Sequence, residues 1–147
     1  GTGTRASFWA ADWGLNRAAN PGPAHPGRGA TGETGDRNRI GNAPLRPGDA
    51  GEQFRDAMNS VVLPRLDAFA PDCLIISAGF DAHRRDPPVN LNLVEDDFAW
   101  ATAKLMEIAD RRAKGRVVSL LEGGYDLEGL SRSVAAHVTT LMGGTGA

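Results

Sequence analysis

This 147-residue sequence has one cysteine, one tyrosine and no long apolar run. With Cys73 alone no internal disulfide can form, so burial and hydrogen bonds must hold the fold, and a reducing, cytoplasmic compartment is expected. No stretch approaches the ~18 apolar residues of a membrane helix, and no basic segment followed by an apolar core opens the chain, so neither a bilayer nor export is indicated. A dominant charge is lacking as well. Lys and Arg total 16 against 18 Asp and Glu, and a net charge of -2 supplies no field to draw nucleic acid or an anionic membrane. An initiating Met is absent before Gly1, and a further segment upstream is expected.

What is present is an ordinary globular composition, 41% hydrophobic and 23% charged, in a length that suits one domain with a modest core. The texture changes near residue 50. Residues 1–50 hold ten of the 19 glycines and five of the nine prolines, and read as loops. Residues 51–147 carry regular patterning. Phe54, Met58, Val61, Val62, Leu66 and Phe69 recur at helical spacing, with Pro64 expected to kink or interrupt the helix. The run 73–79 predicts a strand buried on both faces, headed by Cys73 as a small buried thiol. A helix is predicted over 95–113, with acids in its first turn, bases in its last and Gly115 to end it. "RVVSLLEGGY", 116–125, predicts a second buried strand, and 127–142 a last helix with Leu130, Val134, Val138 and Leu141 aligned. Helix, strand, helix, strand, helix implies an α/β domain on a parallel sheet.

In such sheets ligands bind beyond the carboxyl ends of the strands, where the loops converge. Both predicted ends carry chemistry. The first runs into Gly79, Phe80 and Asp81, and the second into Glu122, Gly123, Gly124 and Tyr125. Asp81 suits a turn cap or a metal ligand, since a carboxylate on a rigid strand end binds hard or borderline cations. Tyr125 suits a rim aromatic or a phenol that donates to a polarised carbonyl, with the glycines letting backbone approach a ligand.

"PDCLIISAGFDAHRRDPPVNLNL" followed by "GRVVSLLEGGYDLEGLSRSVAAHV" resembles the C-terminal half of the zinc-dependent histone deacetylases. The likeness is nearest to the bacterial deacetylase-like and acetylpolyamine amidohydrolases, and runs from about Asn42 to Met142. It implies an incomplete three-layer α/β fold of the arginase/deacetylase type. It implies further that Asp81 is a zinc ligand, that Tyr125 stabilises the oxyanion, and that Gly123, Gly124, Pro88 and His25 border the substrate. In the family, zinc polarises an N-acetyl carbonyl and acidifies a water while a histidine pair moves protons. The implied partner is an acetylated lysine or polyamine arm. Phe8 matches a position whose carbonyl helps bind a structural K⁺ in some relatives.

The departures from the pattern are equally specific. The family's remaining zinc ligands come from an Asp-x-His motif on an earlier strand, which "GTGTRASFW" resembles the direct continuation of, and its general-base histidine pair lies further upstream. These 147 residues alone are therefore expected to bind zinc weakly and to turn over negligibly. Asp81-x-His83 spells the missing pair, but His83 is expected on the solvent side of a loop, and His137 to be structural or on the surface. In "PAHPGRGATGETG", His25 replaces the family's tunnel aromatic and Arg28 a threonine, and Pro88 stands where the family has leucine. A sheet edge left open predicts self-association as a homo-oligomer. The competing reading is a non-catalytic module that keeps an acyl-lysine groove. A phosphate cradle at 27–35 is disfavoured, since no buried strand is expected before the glycines and no Lys-Ser/Thr follows them.

Overall fold

The fold comes from a computed structural model that describes residues 16–21, 40–87 and 89–143. Among them four strands form two parallel pairs. β1, Asn16–Pro21, pairs with β2, Ile40–Leu45, in the register Asn16↔Ile40 through Pro21↔Leu45. β3, Leu74–Ala78, pairs with β4, Val117–Leu121, from Leu74↔Val117 to Ala78↔Leu121. A parallel pair needs a long crossover, and between β3 and β4 the helix α3, Glu95–Arg112, supplies it.

The loop reading of residues 1–50 fails at β1 and β2. "NRAANP" and "IGNAPL" lack the alternation that marks a strand, and pairing with burial imposes it instead, with Asn42, Ala43 and Leu45 buried. Ala43 and Leu45 enter one core with Phe54, Met58, Val62, Ala78, Phe80, Leu91, Leu93 and Phe98. A smaller core gathers Leu66, Leu74, Ile108, Ala109 and Ala113, and Leu63, Ile76 and Leu105 pack against both.

The helical run after Gly51 forms as its spacing predicts, and the α-helix is interrupted ahead of Pro64 without being ended. α1, Gly51–Ala57, opens into a π-helical turn, Met58–Val62, and closes again as α2, Leu63–Phe69. Pro64 has no N–H, and in a regular helix its ring would strike the carbonyl of Ser60. The wider turn, in which the Leu63 N–H donates to the Met58 carbonyl, relieves that conflict and keeps Phe54, Met58, Val62 and Leu66 on the core side. Each fully buried side chain of this size contributes about 1.5–3 kcal/mol.

α3 matches its predicted span to a residue. Glu95, Asp96 and Asp97 stand in its first turn and Arg111 and Arg112 in its last, complementing the helix dipole. Gly115, at φ +72°, ends it by donating its N–H to the Ala109 carbonyl at 3.0 Å. Arg111 and Arg112 both reach Asp67 on α2, at 3.2 and 3.1 Å.

Both strands of the second pair are less buried than the sequence suggests. Ile75 is 64% exposed, Val118, Leu120 and Leu121 are exposed, and Cys73 is exposed rather than buried. An apolar run fits a strand covered on both faces, but among the described residues the side carrying these chains has no covering layer. The last helix, α4, Leu127–Leu141, departs in the same way. Its most buried residues are Gly129, Ser133 and His137, the small ones admitting close approach; Leu130 and Val134 also pack on the main core but share, with Val138, Leu121 and Leu127, the lining of an open apolar groove of about 490 Å³.

Candidate metal and oxyanion site

Because Ala78 and Leu121 are register partners in a parallel pair, the chain leaves β3 and β4 at the same end. Two backbone hydrogen bonds lace the departing loops, Glu122 N–H to the Ala78 carbonyl at 3.0 Å and Phe80 N–H to the Gly123 carbonyl at 2.9 Å. Asp81 thus lies directly against the Gly-Gly-Tyr loop. A Cβ on Gly123 would sit 2.8 Å from Asp81 Oδ2 and 3.0 Å from its Cγ, so only glycine lets the carboxylate rest on this backbone. Gly124 has a different reason: its φ is +135°, and a Cβ there would meet Leu130 Cδ1 at 2.8 Å.

Asp81 is half-buried, and burial pushes its carboxyl above the usual carboxylate range. Its own backbone N–H opposes that rise, and the negative charges of Asp86 and Glu122 add to it. A carboxylate surrounded in this way gains from a cation. Zinc accepts an Asp oxygen, so Asp81 fits one position of a zinc shell. Among the described residues no three His, Cys, Asp or Glu side chains stand together to complete it.

Tyr125 is 72% exposed, and it is held through its backbone: its N–H and that of Asp126 both donate to Asp86 Oδ2, at 2.6 and 3.0 Å. Asp86 is 3% exposed, and the sequence reading passed over it. Its signal was an Asp-Pro pair in a strand-end loop, which equally marks an ordinary turn.

His83 is not on the solvent side. It is 2% exposed, with its ring against Gly129, where a Cβ would come within 2.7 Å of Nδ1. Two long-range features bury it, a bridge to Leu93 and the packing of α4 over the loop. Nδ1 accepts from the Arg85 N–H at 3.2 Å, which puts a neutral ring's proton on Nε2, 3.5 Å from Glu95 Oε1. His137 is structural, bridging Thr102 and Ser119. His25, Pro88 and Phe8 lie outside the described residues.

A histone deacetylase domain model matches residues 15–141. The chain belongs to the histone deacetylase family. Among curated members of that family it is similar to the histone deacetylase-like amidohydrolase of Pseudomonas aeruginosa, 35% identical over 129 residues, covering 85% of this chain and 34% of that protein. The crystal structure of the HDA15 HD domain superposes with a TM-score of 0.88 at 32% identity, over 97% of this chain and 41% of the other. The histone deacetylase Clr3 gives 0.91 at 30%, over 100% and 26%. The chain therefore spans well under half of these deacetylases, and the fold is the arginase/deacetylase type in part. Among the described residues no helix is long and apolar enough to cross a membrane.

Proposed function

We propose that this chain carries part of the site of a zinc-dependent deacetylase that hydrolyses N-acetyl amides of acetyl-lysine or acetylpolyamine type. The observation that supports this reading is the meeting of Asp81 with the Gly123-Gly124-Tyr125 loop at the carboxyl ends of two paired parallel strands. Asp81 serves as a zinc ligand, and Tyr125 donates its phenol O–H to the carbonyl oxygen as negative charge grows there. Gly123 and Gly124 border the acyl group. Zinc, when bound, supplies Lewis-acid polarisation of the acetyl carbonyl and an acidified water. The exposed, unpaired Cys73 fits a reducing, cytoplasmic setting.

Zinc in such a site needs three protein ligands, so one carboxylate holds it weakly. The second reading is a module that binds acyl-lysine without hydrolysing it. Zinc titration and acetyl-lysine peptide turnover separate the two. The 147 residues alone are expected to bind zinc weakly and to turn over negligibly, and joining them to a family segment that bears Asp-x-His and the histidine pair is expected to restore zinc-dependent hydrolysis. Peptide binding that survives a chelator, with no hydrolysis by either protein, would establish the second reading.

A further inference from the structure

We propose that Asp86 is a positioning residue for Tyr125: its buried carboxylate clamps the backbone that decides where the phenol points. The inference rests on the deacetylase reading for its functional consequence and on geometry for the clamp itself.

An exposed tyrosine gets its direction from its own main chain, because little packs on the ring. The residues before it provide only part of that direction, since the backbone bond from the Phe80 N–H to the Gly123 carbonyl ties the loop one residue short of Gly124. Gly123 and Gly124 carry no side chains, and glycine visits more backbone states than any other residue. The restraint nearest the tyrosine comes from the two amides that follow. Tyr125 N–H and Asp126 N–H converge on one oxygen, Asp86 Oδ2, in charge-assisted hydrogen bonds of 2.6 and 3.0 Å. The carboxylate is itself fixed: Asp86 N–H donates to the His83 carbonyl at 2.8 Å, and His83 N–H to the Phe80 carbonyl at 3.1 Å. Arg85 adds a second strap, with Nε 3.2 Å from Asp126 Oδ1 and Nη2 2.7 Å from Glu128 Oε2.

The turn that ends β3 thus sets both groups of the site. It presents Asp81 to the cation position and, five residues on, holds the tyrosine loop. Burying a carboxylate whose Oδ1 has no partner among the described residues is costly, and a turn kept only for shape would not need it.

The single tyrosine makes the clamp directly readable, because ¹⁵N-tyrosine labelling of the 147-residue chain yields one backbone amide signal, that of Tyr125. In the native chain that amide is expected far downfield and protected from exchange. Asp86→Asn keeps size and a neutral acceptor, and is expected to move the signal upfield and speed exchange about tenfold, with Asp86→Ala faster still. Amides of β3, read by ¹⁵N-isoleucine labelling, should keep their rates. A Tyr125 amide that exchanges equally in native and Asp86→Asn chains would overturn the clamp, as would acceleration of all amides together. In the zinc-loaded deacetylase, Asp86→Asn is expected to lower kcat about tenfold or more with KM within about twofold, since misplacement of a reacting group costs rate rather than binding. A rise in KM with kcat unchanged would overturn the positioning role. Failure of the deacetylase reading looks different: native protein without zinc-dependent turnover, while the amide differences persist.

Discussion

Replacing His137 with alanine is expected to lower the unfolding free energy by about 3 kcal/mol, the cost of a cavity plus the partly buried Ser119 hydroxyl left without its acceptor. The imidazole ties three elements together. Thr102 Oγ1 on α3 donates to the Phe98 carbonyl at 2.7 Å, so its proton is already used. His137 Nδ1, 2.7 Å from the same oxygen, must therefore donate to it, which leaves Nε2 to accept from Ser119 Oγ on β4 at 2.8 Å. The ring also meets Phe80 edge-on at 5.7 Å. Burial lowers the pKa of His137 below the ordinary histidine value, so the folded chain keeps it neutral while the unfolded chain takes up a proton near pH ~6.5. The unfolded state then binds more protons, so stability is complete above that pH and declines as pH falls towards the folded value. Urea unfolding followed by circular dichroism at about pH 7.5 and 5.5 tests both claims, the alanine variant losing the His137 share of the slope. A loss under about 1 kcal/mol, or a slope that the substitution leaves unchanged, would show that the bridge contributes little.

What the sequence made legible follows the range of the interaction responsible. α3 was readable because its acidic first turn, basic last turn and terminal Gly115 all lie within its own span. The centres of β3 and β4 were readable from apolar runs, and with them the strand ends that place Asp81 beside Gly123. β1 and β2 were not, because nothing in "NRAANP" announces a strand until its parallel partner is beside it. The burial of His83 was hidden for a related reason. Neighbouring Arg84 and Arg85 make the loop look wet, and the residue that covers the ring, Gly129, lies on the last helix. On α4 the aligned stripe was readable and its first half, Leu130 and Val134, packs on the core, but the close approach through Gly129, Ser133 and His137 was not, because a sequence shows hydrophobicity more plainly than the small side chains that let two helices approach. Asp86 was missed because its partners are backbone amides, which leave no mark on residue type.

Two substitutions in the Gly-Gly-Tyr loop should separate its two tasks. Tyr125→Phe is expected to lower kcat for an acetyl-lysine peptide in the zinc-loaded deacetylase by about 10²- to 10³-fold, the cost of one lost oxyanion donor. Stability should stay within about 0.5 kcal/mol, because Tyr125 is 72% exposed and the loop is held through its backbone. Gly123→Ala should act on the metal instead. Its Cβ would lie 2.8 Å from Asp81 Oδ2, and the carboxylate, fixed by a short side chain on a hydrogen-bonded turn, has to swing away. Zinc affinity is expected to fall about 10- to 100-fold, the range for disturbing the groups that orient a ligand. At saturating zinc the alanine variant should recover much of its rate, and the phenylalanine variant none. Should added zinc rescue both variants or neither, the separate roles assigned to Asp81 and Tyr125 would fall together.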